Sequence, residues 1–62
     1  MNEDTNMSIR KLLKQVGVTS QQAIEDALRN AGDTTGKSYE AKVVLTIEEL
    51  DMTHTVSGSI QG

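Results

Sequence analysis

Residues 39–60, YEAKVVLTIEELDMTHTVSGSI, decide the fold, because apolar residues recur in them at every second position. That period is typical of strands with one buried face. The first run has its apolar residues at odd positions and the second at even positions, so an antiparallel hairpin brings both sets to one face. We therefore predict strands over about residues 39–47 and 50–60.

The turn between these strands has two interpretations. A two-residue turn at Glu48-Glu49 would place Tyr39 opposite Gly58, where the ring could lie across the bare backbone. A four-residue loop over residues 48–51 shifts every partner and keeps the same face apolar. Because Glu-Glu lacks the Gly or Asn that tight hairpin turns prefer, the sequence does not choose between them.

Upstream of the strands, the apolar period changes to that of amphipathic helices. Ile9, Leu12, Leu13 and Val16 have the i, i+3, i+4, i+7 spacing, which predicts a helix over about residues 6–16. Capping side chains for its start are available just upstream and within the first turn. They are Asp4, Thr5, Asn6 and Ser8.

A break is predicted after this first stripe. Gly17 follows Val16 directly, and we expect it to end the helix in a left-handed conformation. The next four residues, TSQQ over 19–22, have the capping-box form that starts a second helix, predicted over about residues 20–31. The stripe of this helix is rich in Ala, and Gly32 is expected to close it.

Residues 32–38, GDTTGKS, are predicted to be a surface loop, because they are small and polar without periodicity. Their spacing is one residue short of a phosphate-binding loop. The expected helix-loop-strand order is also the reverse of the strand-loop-helix order that such a loop requires, so nucleotide binding is not indicated. The whole pattern predicts one small α+β domain over residues 1–62, with a two-helix hairpin followed by an antiparallel two-stranded β-hairpin (ααββ).

Length and composition predict a partner. The chain has 62 residues, 35% of them hydrophobic, with no Phe, Trp or Cys. Near this length a domain buries only about 60% of its unfolded surface, and self-association is the usual remedy when disulfides and metals are missing. A lone β-hairpin also leaves both outer edges unpaired. We therefore expect a homodimer, built either by edge pairing into a four-stranded sheet or by the leftover apolar surface, or a complex with another protein.

The same composition indicates the cellular compartment of the protein. The absence of Cys fits a reducing environment, the first residues are acidic where a secretory leader would be basic, and no apolar run exceeds four residues. We expect a cytoplasmic protein without a membrane segment.

Charge argues against nucleic acid as a partner. The net charge is −3, with the acidic excess in residues 32–62, and negative charge opposes approach to phosphates. The alternative function is helix-turn-helix binding of nucleic acid through residues 9–31, because such helix pairs can place a helix in the major groove. The candidate interaction surface, for a protein partner or for nucleic acid, is Arg10, Lys11, Lys14, Gln21 and Gln22.

Catalytic chemistry is not indicated by any residue pattern. His54 is the one His, and its strand neighbours on the same face are Met52 and Val56, so a structural role or a position at the rim of that face is expected. Adjacent carboxylates, such as those of Glu25 and Asp26, diverge on a helix and do not converge on a substrate. We predict no catalytic residue, metal site, cofactor or small-molecule substrate, and a non-enzymatic protein that acts through protein–protein interaction.

The segments NMSIRK, LLK and VGVTSQ within residues 1–22 resemble the opening of a family of short bacterial proteins that is known as a domain of unknown function. The resemblance extends through the helical part and the hairpin that carries Thr53 and His54. It implies a small bacterial cytoplasmic protein, and it implies no activity or ligand. Members tend to carry Phe near residues 5–6 and at position 12, where this chain has Leu12.

Overall fold

The computed structural model describes residues 1–62 and shows one long helix followed by a β-hairpin. Helix α1 spans Glu3–Asn30, strand β1 spans Ser38–Ile47, a 3₁₀ turn spans Glu48–Leu50, and strand β2 spans Met52–Gln61. The two strands form an antiparallel sheet. The α+β class and the hairpin are therefore confirmed, and the predicted two-helix hairpin is wrong.

The predicted break at Gly17 is absent because the chain stays helical through it. Gly17 does not adopt the positive φ that would end a helix, in contrast to Gly32 and Gly36. The Thr19 hydroxyl, which a capping box would aim at a backbone N–H, instead donates to the carbonyl oxygen of Gln15 at 2.8 Å. This bond back to the preceding turn is what Ser and Thr side chains form inside helices.

A continuous apolar stripe explains why one helix is preferred to two. Val16, Ser20, Ala23 and Ala27 keep the i, i+4, i+7, i+11 spacing of one helix face across the predicted break. A bend at Gly17 would separate the two halves of this stripe, whereas the unbroken helix keeps both halves on one side.

The ends of α1 follow ordinary capping chemistry. The Asn2 side chain accepts from the Thr5 N–H at 2.8 Å, so Asn2 is the N-cap, and all four predicted capping candidates lie inside the helix. Ser8 Oγ donates to the Thr5 carbonyl oxygen at 2.9 Å. At the other end, Gly32 has φ +85°, directly after the C-cap Ala31, which confirms Gly32 as the closing residue.

The register of the hairpin selects the four-residue loop. Ile47 pairs with Met52, and the loop of residues 48–51 ends at Asp51, which takes φ +51°. Tyr39 therefore lies opposite Ile60, and the pairing of Tyr39 with Gly58 is wrong. All apolar cross-strand pairs still share one face, as the alternation predicts.

The connection between α1 and β1 is an ordered loop. Asp33 accepts the Thr35 N–H at 3.0 Å, an Asx turn, and the Lys37 N–H donates to the Thr34 carbonyl oxygen at 3.1 Å. The Gly62 N–H donates to the Lys37 carbonyl oxygen at 2.8 Å, which ties the end of β2 to this loop. No helix of the chain is both long and apolar enough to span a bilayer.

The molecule is elongated and lacks a closed core. Its Cα radius of gyration is 15.1 Å, whereas a compact chain of this length has about 10.5 Å. Its longest dimension is 46 Å, close to the length of about 42 Å expected for α1 itself. None of the 62 residues is fully buried. The helix and the hairpin therefore form two layers whose apolar sides are still open.

Candidate interaction surface

The larger opening between the two layers is an apolar groove of about 470 Å³ near the start of α1. Ile9, Leu12 and Leu13 line it from the helix. The tip of the hairpin forms the other wall. Its residues are Leu45, Ile47, Leu50, Met52, Thr53 and His54. No charged side chain lines this groove.

A second groove, of about 250 Å³, lies near the end of α1, where the strands begin and end. Every residue that lines it is apolar. They are Ile24, Ala27, Leu28 and Ala31 of the helix, and Tyr39 and Ile60 of the strands. The hairpin thus runs back along α1, with its open ends near Ala31 and its tip near Ile9.

Val43 and Val56 lie between the two grooves on the same side of the hairpin, because they pair with each other and share the parity of Leu45 and Tyr39. Both are exposed. We call the two grooves and this valine pair the apolar face. Leu50 at its edge is 71% exposed. Adjoining exposed apolar side chains of this kind mark interaction surfaces in small proteins.

The total accessible surface of the chain is larger than that of a compact monomer of the same mass. A compact monomer of 6.7 kDa exposes about 3,900 Å², whereas this chain exposes 5603 Å², about 1,700 Å² more. The single chain therefore carries an excess of surface comparable to that of a large protein interface.

The candidate interaction residues that the sequence suggested lie on the opposite side of α1 from the apolar stripe. At about 100° per residue, Arg10, Lys14 and Gln21 fall within about 40° of one another, and Lys11 and Gln22 lie next to them. The unbroken helix therefore aligns on one polar side five residues that two helices would have separated. Arg10, Lys11 and Lys14 surround a shallow hollow together with Asp4, Met7 and Ser8.

The second half of α1 adds acidic side chains to this polar side, and they pair with its basic and amide groups. Arg29 forms an ion pair and hydrogen bond with Asp26, and Gln21 Nε2 donates to Glu25 Oε2 at 3.2 Å. Exposed pairs of this type contribute little to stability. The polar side is thus a mixed-charge, solvated surface.

The helix-turn-helix interpretation of residues 9–31 is wrong in its geometry. That motif requires a turn that sets two helices at a steep angle, and residues 9–30 belong to one helix here. A recognition helix that starts at Ser20 therefore does not exist, and Gln21 and Gln22 lie in the middle of α1.

Groups with catalytic chemistry are dispersed. No three His, Asp or Glu side chains come together where they could hold a metal ion. His54 pairs with Leu45 across the strands and lies exposed at the border of the larger groove.

Asp33, in the loop after α1, accepts hydrogen bonds that change its titration. The Thr35 N–H donates to its carboxylate, and the Thr35 side chain adds a second hydrogen bond, so the pKa of Asp33 lies below its ordinary value. The group is fully exposed and lines neither groove, so its hydrogen bonds belong to the loop structure.

Sequence reasoning named residues of the polar side as the candidate interaction surface. It allowed for leftover apolar surface and a free sheet edge, but it did not identify Leu12, Leu13 and Leu50 as exposed residues. One signal was available. The spacing from Val16 through Ser20 to Ala23 continues the first stripe and indicates a single helix. A single helix is too narrow to cover the apolar side of a two-stranded hairpin, so exposed apolar residues are expected.

The fold and surface define a small α+β protein with an open apolar face. The chain belongs to a family of unknown function, DUF6494, whose family model matches residues 1–62. This finding confirms the resemblance that the first 22 residues indicated. No curated protein and no solved structure matches the chain.

Proposed function

We propose that this chain is a non-enzymatic cytoplasmic protein that acts by binding another protein chain through the apolar face. The observation that supports the proposal is the combination of two apolar grooves with the absence of any buried residue. Apolar surface left in contact with water costs free energy roughly in proportion to its area, so a partner that covers it stabilises the fold.

The polar side of α1 has a secondary part in this proposal. Arg10, Lys11 and Lys14 lie away from the apolar face and remain available when it is covered. Rim charges of this kind influence association rates and partner choice more than affinity.

The test uses two exposed apolar residues on opposite sides of α1. Leu12, 50% exposed, lines the larger groove, and Val18, 59% exposed, lies on the polar side. We expect Leu12→Glu to abolish binding to whatever chains co-purify with the protein from its native extract, its own copies included. The Val18→Glu variant should still bind the same chains.

The readout is quantitative mass spectrometry of the bound chains, with circular dichroism to measure helicity of each variant. Equal binding by wild type, Leu12→Glu and Val18→Glu would remove the apolar face as the functional surface. Turnover of a substrate by the purified chain would contradict the non-enzymatic part of the proposal.

A further inference from the structure

We propose that the partner on the apolar face is a second copy of this chain, and that the functional unit is a two-fold homodimer with the two apolar faces in contact. The inference rests on the proposed function and names its partner. Three features of the face support a second copy.

The first feature is the amount of surface to be covered. An excess of about 1,700 Å² per copy amounts to about 3,400 Å² for two copies, within the range of about 2,000–5,000 Å² that obligate homodimers bury. Transient partners cover about half as much or less. A chain with this much excess surface needs a partner whenever it is folded, and a second copy of the chain is always present where the chain is made.

The second feature is the distribution of side-chain size along α1. The stripe is bulky in its first half, with Ile9, Leu12 and Leu13, whereas its second half alternates the small Ala23, Ala27 and Ala31 with Ile24 and Leu28. A two-fold axis across the helix makes the two copies antiparallel, so the bulky half of each copy lies over the Ala-rich half of the other copy. Isologous interfaces require this self-complementarity.

The third feature is charge. Each copy carries a net charge of −3, which opposes association of like chains. The residues that line both grooves include no Asp, Glu, Lys or Arg. Two faces can therefore meet without bringing like charges together, while the charged side of each α1 remains in water.

The experiment uses two adjacent valines that the single chain exposes almost equally. Val43 on the apolar face is 48% exposed, and Val44 on the other side of the hairpin is 52% exposed. In an isolated chain, Val43→Glu and Val44→Glu should therefore have similar effects. In the proposed dimer, only Glu at position 43 is forced into an apolar interface.

Sedimentation equilibrium of the purified chain should give twice the 6.7 kDa mass at micromolar concentrations. We expect Val43→Glu to raise the dimer dissociation constant at least about 100-fold, because a buried unpaired charge is costly. Val44→Glu should change it by less than about 3-fold, as surface substitutions do.

A second measurement remains informative if Val43→Glu does not fold. The melting temperature of the wild-type chain should rise with protein concentration, because folding is linked to association when the dimer is the folded species. A melting temperature independent of concentration, together with a monomer mass and full helicity, would overturn the inference.

The remaining outcomes are distinct. A dimer that Val43→Glu and Val44→Glu weaken equally would indicate edge pairing of the hairpins and overturn the face-to-face arrangement. If the wild-type chain is a monomer and Leu12→Glu still abolishes binding of another protein, the apolar face is the binding surface and only the identification of the partner as a second copy is overturned. If the wild-type chain is a monomer and Leu12→Glu changes the binding of no protein, the proposed function is overturned as well.

Discussion

Gly17 and Gly32 follow apolar stripe residues in the same helical half of the chain, yet only one of them ends a helix. A Cβ at either position would meet no atom within 4 Å, so neither Gly is required by close packing. Gly32 takes φ +85°, and Gly17 remains inside α1. The two positions differ because the apolar period continues past Gly17 and stops at Gly32. Glycine permits a helix end, and the loss of the stripe decides whether one forms.

The substitution expected to change stability most is Ser20→Pro, which tests whether the helix is continuous past Gly17. In a second helix capped by Thr19, position 20 would be the first helical residue, where Pro is tolerated. Inside a continuous α1, Pro removes a hydrogen bond and clashes with the preceding turn, so we expect a loss of about 3 kcal/mol in the free energy of unfolding. Urea denaturation at fixed protein concentration measures it.

The matched control is Glu3→Pro, because Glu3 is the first residue of α1 after the N-cap Asn2. It should change the free energy of unfolding by less than about 1 kcal/mol. Equal stability of Ser20→Pro and Glu3→Pro would restore the two-helix interpretation.

The next effect in size is Gly32→Ala, which places a Cβ on left-handed backbone. We expect a loss of about 1–2 kcal/mol. Gly32→Asn should lose less, because Asn tolerates this conformation better than other side chains. Thermal or urea unfolding of the two variants would check the order, and an Ala variant as stable as wild type would contradict the role of φ at this position.

Gly17→Ala should act in the opposite direction. Ala in a helix interior is favoured over Gly by about 0.5–1 kcal/mol, and no neighbouring atom obstructs the new methyl group. We therefore expect an increase in the free energy of unfolding of that size, measured alongside Gly32→Ala. A loss on Gly17→Ala would mean that the chain bends there.

The smallest effect concerns pH at the end of α1. Because the pKa of Asp33 is lowered by hydrogen bonds from Thr35, the ionised form stabilises the loop after Gly32. That contribution is complete above the ordinary pKa of an Asp and is lost as pH falls through the lower folded value. NMR titration should show a lower midpoint for Asp33 than for the same residue in an unfolded peptide of residues 31–37. Thr35→Pro, which removes the N–H donor, should raise the midpoint.

The hairpin could be predicted from the sequence because its signal is local. Alternation over residues 39–47 places Leu45 and Ile47 on one face under either turn, so the face did not depend on the register. The register itself could not be chosen, because Glu48-Glu49 is a weak turn sequence and the left-handed residue is Asp51. The helix break was mispredicted because TSQQ over residues 19–22 has a good capping pattern that the continuous stripe outweighs.

The candidate surface was less predictable than the fold. The composition indicated that one copy lacks enough apolar burial, which led to the expectation of a partner. The location of the surface required knowing which side of each layer stays open. Leu12 and Val16 belong to one stripe, yet Leu12 is exposed and Val16 is half-buried, a difference that the spacing of the stripe does not predict.

The amino-acid order alone determined the α+β class, the closing role of Gly32 and the shared face of the strands, because each depends on spacing between near neighbours in the chain. The tertiary arrangement decided that α1 is one helix and that an apolar face remains open. Those outcomes depend on distant segments competing for the same apolar side chains, and a single helix laid along a two-stranded hairpin can bury only part of them.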